Sequence, residues 1–420
     1  MQSPAGGRRA DAALFCLMLA PACLVLLLAL PNPAAGGALG RGASAGGGGA
    51  TPVPVVIDTD IGNDYDDSWA IAYVLSRRDL FDLKLITTAT GNATNRALLT
   101  CAYLEAVGAA ARVPVGAGIG GGQHFYDGVG PLFHWVPAGY SFARFRAAGG
   151  TFHPDGVAAL EAAIEAHGSP ARPLLVIALS PLSNLGDIFT RRPELKASVV
   201  LATMGGSLRV GYDNSSTPSQ EYNIAGNVSA AQAVYRQDDA HPSRTRHGRF
   251  ALPICGAPLD TTWFFQIYGA AYRRFFDRAT AAPTSLAGVL LDGYRVWLAN
   301  GGGYGGVRPF EPNVTSSTLY DLQAAMQAGL MASRRLPNGT YTGDACASLA
   351  GPAGDDGLVL TTVRLAVMDD GITKVLQPGH PAWAATRDTV EATAWAGGQW
   401  NGSFGMGESA VAAIVAAPEP

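Results

Sequence analysis

From residue 52 onward, short apolar runs alternate with longer segments in which apolar residues recur every three or four positions. Runs such as "VPVVIDTD", "PLLVIAL" and "ASVVLATMGG" predict buried strands, whereas segments such as "DSWAIAYVLSRR" and "VAALEAAIEAHG" predict helices. The alternation predicts the α/β class, with a Rossmann-like, open, mainly parallel sheet and flanking helices in a single domain over residues 52–416.

Two parts of the chain do not follow this alternation. The residues from Ile119 to about Asp155 show no regular period, and we predict a long loop there. The stretch "GLVLTTVRLAVMDDGITKVL" near the C-terminus predicts a β-hairpin, because an Asp-Gly pair separates two strand-like runs.

The start of the chain has the pattern of an export signal. Arg8 and Arg9 precede an apolar run over residues 14–30, and small residues follow it. This pattern predicts a signal peptide over residues 1–36, with an uncleaved signal anchor as the alternative. The run is shorter than the ~20 apolar residues of a full membrane span, so we expect a secreted protein without membrane contact after cleavage. Residues 37–51 predict a flexible, glycine-rich linker.

Charge and cysteine content narrow the functional classes. The formal net charge is −4, which provides no basic field for nucleic acid. Beyond the predicted signal, Cys101, Cys255 and Cys346 allow one disulfide with one thiol, or three thiols. Six Asn-x-Ser/Thr sequons give weak support for a glycoprotein: Asn92, Asn214, Asn227, Asn313, Asn338 and Asn401.

Polar residues follow four of the predicted strands, in "DTDIGNDYDD", "TATGN", "ALSPLSN" and "MGGS". The carboxyl ends of parallel strands meet at one edge of a sheet, where ligands bind in such folds. The first stretch holds five Asp in ten positions, and these carboxylates repel one another. A hard divalent cation such as Ca²⁺ would neutralise them, because it binds six to eight oxygen ligands. The alternative is that these acids are helix caps and solvated loop charges.

The motifs resemble a known family. "VVIDTDIGNDYDDSWAIAYVL", "TTATGN", "LSPLSN", "VVLATMGGS" and "EYNIAG" occur in the order found in the inosine-uridine preferring nucleoside hydrolases, and the resemblance covers about residues 53–400. Two departures stand in the first motif. Ile61 occupies a position where the family usually has Pro, and the loop from Gly62 to the Asp66–Asp67 pair is two residues longer.

The resemblance implies a Ca²⁺-dependent hydrolase that cleaves the N-glycosidic bond of ribonucleosides and releases free base and ribose. It implies four metal ligands: Asp60, Asp67, the backbone carbonyl of Leu179, and Asp321. It implies ribose contacts by Asn92, Glu221 and Asn223, with Asn214 as a candidate for a further contact. Asp60 would also act as the general base, and Asp66 would orient the water or a ribose hydroxyl.

The group that assists the departing base is less clear from the sequence. Tyr320 stands where many family members have a His, and its hydroxyl can donate a hydrogen bond, although a packing role is an equal alternative. His124 and His134 lie in the predicted long loop and are more typical of surface or packing histidines. Trp263, Phe264, Tyr294 and Trp297 fall in the region where the family places aromatic residues around the base.

The expected partner is a small-molecule nucleoside, and family members are commonly dimers or tetramers, so a homo-oligomer is possible. Two other functions remain open. A haloacid-dehalogenase-like Mg²⁺ phosphatase would use Asp58 as nucleophile. It would also need "MDDGITK" as a catalytic segment, which conflicts with the hairpin predicted for these residues. A catalytically impaired, secreted nucleoside-binding protein is the other alternative.

Overall fold

The computed structural model describes residues 51–121, 130–236, 252–303, 309–334, 358–381, 388–395 and 405–418. The predicted signal peptide, nearly all of the predicted linker, and His124 lie outside the described residues, so their boundaries stay predictions. Within the described ranges, no helix has both the length and the apolar character needed to cross a membrane.

Ten strands and twelve α-helices form the domain in the part of the chain that the structure describes. The strands are β1 Val53–Thr59, β2 Phe81–Thr88, β3 Val115–Ala117, β4 Phe152–His153, β5 Leu174–Ala178, β6 Val199–Met204, β7 Ile254–Ala257, β8 Leu358–Val367, β9 Thr373–Val375 and β10 Asp388–Trp395. The helices are α1 Asp66–Ser76, α2 Ala93–Ala106, α3 Phe142–Ala147, α4 Gly156–His167, α5 Ser183–Arg191, α6 Tyr222–Ala225, α7 Val228–Tyr235, α8 Leu259–Thr262, α9 Gly269–Ala281, α10 Leu286–Ala299, α11 Tyr320–Ser333 and α12 Gly405–Ala416. Three 3₁₀ helices span Pro131–Trp135, Pro193–Ser198 and Tyr212–Asn214.

One sheet contains all ten strands, in the order β4-β3-β2-β1-β5-β6-β7-β10-β8-β9. Strands β1 to β7 pair in parallel with their neighbours, and β10 also pairs in parallel with β7. The predicted α/β class with an open, mainly parallel sheet is therefore confirmed. The predicted C-terminal hairpin is also present, since β8 and β9 pair antiparallel and Gly371 takes φ +78° in their turn.

The prediction of a long loop from Ile119 to about Asp155 was only partly right. This segment contains the 3₁₀ helix Pro131–Trp135, then α3 and the two-residue strand β4. Ser141 caps α3 by accepting a hydrogen bond from the Arg144 N–H, and the rings of Phe142 and Phe152 stack with centroids 3.6 Å apart. Helix α3 has six residues, which is too short for a 3.6-residue period to stand out in the sequence.

The order in which strands are added to the sheet reverses between β1 and β5, which makes this position a topological switch point. The chain runs from β1 outward to β4 on one side and then returns to start β5 on the other side of β1. Such a reversal opens a crevice beyond the carboxyl ends of the two strands. The four polar stretches named above follow β1, β2, β5 and β6, which are neighbours in the sheet, so they meet at one edge as predicted.

Apolar layers cover both faces of the sheet. In β1, Val55 and Ile57 pack into the cluster on one face, and Val56 packs into the cluster on the other. Helices α1 and α11 are buried along almost their whole length and pack beside each other. Neither has a solvent-exposed face, as expected for a helix surrounded by protein.

The structure decides between the two alternatives for the cysteines, one disulfide with one thiol or three thiols. Cys101 is a buried free thiol in α2, and Cys255 in β7 is disulfide-bonded. Because Cys101 is free, the partner of Cys255 lies outside the described residues. The reading of three free thiols is therefore excluded.

Candidate active site

Three carboxylates meet where two helices begin. Asp66 and Asp67 occupy the first turn of α1, and Asp321 occupies the first turn of α11. One side-chain oxygen from each of the three lies within 4.8 Å of the other two. All three side chains are buried, and the Asp321 N–H donates to Asp66 Oδ2 at 3.4 Å. The packing of α1 against α11 therefore assembles an acid cluster from residues far apart in the chain.

Burial raises the pKa of Asp66, Asp67 and Asp321 well above the usual carboxyl value, and the neighbouring carboxylates raise it further. Asp60 is one of these neighbours, because its charge raises the pKa of all three. Three features oppose the repulsion: the Thr59 hydroxyl donates to Asp67, the Arg96 guanidinium lowers the pKa of Asp67, and the two helix N-termini favour negative charge. These interactions do not cancel the effect of burial and repulsion, because the pKa values of the three acids stay raised.

Asp60 lies at the end of β1, beside the acid cluster. Burial raises its pKa to about 6, while the Arg96 guanidinium opposes this shift and Asp64 of the longer loop adds to it. Sequence reasoning gave Asp60 and Asp67 the metal and gave Asp66 only a water-orienting role. In the structure, Asp66 lies together with Asp67 and Asp321, and Asp60 is their electrostatic neighbour, so the assignment of metal ligands stays a prediction.

Arg96 is a feature of this site that the sequence reasoning missed. Its side chain is completely buried, and its Nη1 donates to the carbonyls of Asp60 and Ile61 while its Nε donates to that of Thr90. Thr90 has φ +71°, a conformation that a β-branched residue rarely adopts. Arg96 thus ties the loop after β1 to the loop after β2. The available signal was that Arg96 is the one basic residue of α2 and lies in its first turn.

Asp58 has a structural role in this arrangement. Its Oδ1 accepts hydrogen bonds from Thr87 Oγ1 at 2.7 Å and from Asn184 Nδ2 at 2.8 Å. These bonds connect β1 with β2 and with the start of α5. Burial raises the pKa of Asp58 to about 7, against the hydrogen bonds from Thr87 and Asn184, which lower it.

The predicted Leu179 carbonyl and two of the predicted ribose-binding residues lie together at the ends of β5 and β6. Asn223 Nδ2 donates to the Leu179 carbonyl at 3.3 Å and to the Met204 carbonyl at 3.2 Å. Glu221 is 1% exposed and accepts hydrogen bonds from the N–H groups of Gly206, Asn223 and Ile224. Burial raises the pKa of Glu221 to about 7, and these three hydrogen bonds lower it.

Asn92 and Asn214 are not buried with the acids. Asn92 is the exposed N-cap of α2, and its Oδ1 accepts from the Asn95 N–H at 3.0 Å. Asn214 is exposed in the 3₁₀ helix Tyr212–Asn214, where Asp213 and Asn214 both have positive φ angles, of 57° and 56°. Their expected ribose contacts stay predictions.

Aromatic rings stand beside the acid cluster. Tyr320 begins α11 next to Asp321 and is partly buried, and its ring centroid lies 6.2 Å from that of Trp263. Trp263 in turn makes an edge contact with Tyr212 at 6.1 Å. Burial raises the pKa of the Tyr320 hydroxyl well above 10, and Asp64 and Asp66 add to this shift. Tyr320 therefore keeps its proton and can donate a hydrogen bond.

Two other aromatic candidates belong to the core. Tyr294 and Trp297 are fully buried in α10, away from solvent. His134 is exposed in the 3₁₀ helix Pro131–Trp135, in a groove lined by Glu105 and Asp292, which supports the surface reading for this residue.

The acid cluster fits a metal ion. Its donor set consists of carboxylate oxygens, which are the ligands of hard divalent cations such as Ca²⁺ and Mg²⁺. Without a cation, three buried acids in mutual contact distance must hold protons or repel one another. No histidine or cysteine belongs to the cluster among the described residues, which argues against zinc.

Comparison with known proteins decides the family. The model of the family "Inosine-uridine preferring nucleoside hydrolase" matches residues 55–347. The chain belongs to this family. Membership places it among enzymes that hydrolyse N-glycosyl compounds, and it confirms the resemblance seen in the motifs.

Individual relatives agree with the assignment. The chain is 26% identical over 247 residues to the pyrimidine-specific ribonucleoside hydrolase RihA of Salmonella arizonae, a match that spans 57% of this chain and 70% of RihA. It is 32% identical over 190 residues to the non-specific ribonucleoside hydrolase RihC of Escherichia coli O139:H28, covering 43% of this chain and 57% of RihC. The solved inosine-uridine preferring nucleoside hydrolase of Bacillus anthracis shares the fold, with a TM-score of 0.55 at 12% identity, over 86% of this chain and 99% of that one.

Proposed function

We propose that this protein is a Ca²⁺-dependent ribonucleoside hydrolase that cleaves the N-glycosidic bond and releases free base and ribose. The observation that carries the proposal is the buried group of Asp66, Asp67 and Asp321 at the carboxyl edge of the sheet, in a chain of the nucleoside hydrolase family. Asp60, Asp67, Asp321 and the Leu179 carbonyl would hold the ion, and Asp66 is positioned to join them. When bound, Ca²⁺ would neutralise the acids, bind the ribose diol and lower the pKa of a bound water.

Asp60 would act as the general base. A bound cation would keep this carboxylate ionised, so it can accept a proton from the attacking water. Cleavage of the C1′–N bond builds positive charge on the ribosyl ring, as in glycoside hydrolysis, and the nearby carboxylates stabilise that charge. Asn92, Asn214, Glu221 and Asn223 would bind the ribose, with Glu221 and Asn223 already fixed by their hydrogen bonds.

Tyr320 would donate a hydrogen bond to the departing base. Its place beside Asp321 and Trp263 supports this role, because a group at the start of α11 stands next to the acids that would hold the metal ion. The two named relatives differ in substrate range, one pyrimidine-specific and one non-specific, so both purine and pyrimidine nucleosides are candidate substrates.

The protein would act outside the cytosol. The predicted signal peptide over residues 1–36 supports this location. The disulfide at Cys255 supports it independently, because structural disulfides persist mainly in oxidising compartments.

The decisive experiment is a product assay. Wild-type protein and the Asp67→Ala variant are incubated with inosine, adenosine, guanosine, uridine and cytidine, with Ca²⁺ or with EDTA, and free ribose is scored. We expect ribose from at least one nucleoside with Ca²⁺, and none with EDTA or with Asp67→Ala. Tight nucleoside binding without ribose release would instead favour the impaired binding protein, and Ca²⁺-independent turnover would contradict the metal site.

The phosphatase alternative is not supported. It requires "MDDGITK" to serve as a catalytic loop, whereas these residues form the turn between the antiparallel strands β8 and β9 and the start of β9. Asp58, the required nucleophile, is fully buried and bonded to Thr87 and Asn184.

A further inference from the structure

The loop that is two residues longer than the family pattern is anchored on helix α10. Tyr65 of this loop is 1% exposed, and its hydroxyl donates to the Leu290 carbonyl at 2.7 Å. Its ring lies over Tyr294, with centroids 4.1 Å apart. The Trp297 indole N–H donates to the carbonyl of Asn63 at 2.6 Å. Residues 290, 294 and 297 follow the i, i+4, i+7 spacing, so one face of α10 holds the loop that leads into Asp66 and Asp67.

The same face also holds the segment that leads into Asp321. The Tyr294 hydroxyl lies 3.0 Å from Ser317 Oγ and accepts a hydrogen bond from the Ser317 N–H at 3.1 Å. Ser317 stands four residues before Asp321, and all of these groups are buried. Tyr294 is therefore in contact with both chain segments that supply the acid cluster.

The fit between loop and helix is close. A Cβ atom at Gly293 would lie 2.1 Å from the Tyr65 hydroxyl oxygen, so a larger residue at position 293 would displace the loop. Helix α10 can serve as a rigid reference because most of its residues are buried, and the ring of the partly buried Phe310 packs 4.9 Å from that of Tyr294. The separation of Asp66 and Asp67 from Asp321 is then set by α10 as well as by the packing of α1 on α11.

We propose that Tyr294 is a positioning residue: by packing its ring against that of Tyr65 and bonding Ser317, it fixes the acid cluster in the geometry that binds the metal ion. The inference rests on the metal site of the proposed function. It assigns a purpose to the lengthened loop, which supplies Tyr65 and the Asn63 carbonyl as its anchoring points on α10.

The test is a calorimetric titration of the chelator-treated, full-length protein with Ca²⁺ alone. Tyr294→Phe keeps the ring but removes the hydroxyl that joins Ser317. We expect its Ca²⁺ dissociation constant to rise by about tenfold, the size of one buried hydrogen bond. Ser317→Ala should act in the same direction. The double variant should lose less than the product of the two single effects, because both remove one shared contact.

The matched control is Tyr272→Phe. Tyr272 is equally buried, lies in the same aromatic cluster, and its hydroxyl donates to the Pro312 carbonyl at 2.7 Å, but its hydroxyl bonds neither the lengthened loop nor Ser317. It should lose similar thermal stability and keep wild-type Ca²⁺ affinity. Unchanged affinity in Tyr294→Phe and Ser317→Ala, or equal losses in Tyr272→Phe, would overturn the inference. Wild-type protein that binds no Ca²⁺ would overturn the metal site itself, and this inference with it.

Discussion

Replacing Asp321 by Asn should make the metal-free protein more stable. It should also reduce the stabilisation that Ca²⁺ provides. Asp321 faces Asp66 and Asp67 with oxygens within 4.8 Å, and each such pair of charges repels by about 3.5 kcal/mol at an effective dielectric constant near 20. The raised pKa values mean that protonation relieves part of this repulsion. We therefore expect Asp321→Asn to raise the free energy of unfolding in EDTA at pH 8 by roughly 1–3 kcal/mol.

The assay is thermal unfolding with EDTA and with Ca²⁺. At ~2.1 cal/mol/K per residue for a domain of about 365 residues, this gain raises the Tm by about 1–4 °C. Ca²⁺ at 100 times its dissociation constant should stabilise the wild type by about 2.7 kcal/mol, or roughly 3–4 °C, and should leave the variant almost unchanged. Asp277→Asn, at an exposed position of α9, controls for the change in net charge.

Two results would refute the reasoning. A variant clearly less stable than wild type in EDTA would mean that Asp321 is held by favourable contacts rather than repelled by its neighbours. A variant with the full Ca²⁺-dependent rise in Tm would mean that Asp321 is not a ligand. A parallel rise in Asp277→Asn would assign the effect to net charge.

Three further predictions address the other acids and the leaving group. Asp60→Asn should keep measurable Ca²⁺ binding but lose about 10²- to 10⁴-fold in kcat, and a near-normal kcat with metal bound would show that Asp60 is not the base. Tyr320→Phe should slow inosine or uridine by roughly ten- to a hundredfold but barely slow p-nitrophenyl riboside, whereas equal slowing of both would indicate packing. Burial raises the pKa of Asp58 to about 7, so the folded state binds this proton more tightly than the unfolded state does. The stability that this proton provides is complete below about pH 4 and is lost as the pH rises through about 7. Other buried acids with raised pKa values, such as Glu221, add their own loss. In urea unfolding with EDTA, the total fall in the free energy of unfolding should therefore be smaller by roughly 2–4 kcal/mol in Asp58→Asn than in the wild type.

The sequence by itself determined the class of the fold and the edge at which the site lies. Strand-like runs separated by helical periods require crossover connections, and such connections make a parallel sheet. Polar residues directly after β1, β2, β5 and β6 had to meet because parallel strands end at one edge. The acid-rich stretch and the ordered motifs also predicted that Asp67 and Asp321 share one metal site, and their carboxylates do lie close together.

Only the tertiary structure decided which groups share that site and how they are held. Asp67 and Asp321 are separated by more than two hundred residues, and their distance depends on how α1 packs against α11, which no local pattern encodes. The same packing brings Asp66 into the cluster. Only the structure shows that the Arg96 side chain is buried and that its hydrogen bonds link the loop after β1 to the loop after β2. Asn92 caps α2 in solvent, and its predicted ribose contact stays a prediction, because a short motif specifies a residue type and a turn but not a distance from the acids. The anchoring of the longer loop by Tyr294 likewise follows from the position of α10, since an aromatic residue at helical spacing gives no sign of which segments it will contact.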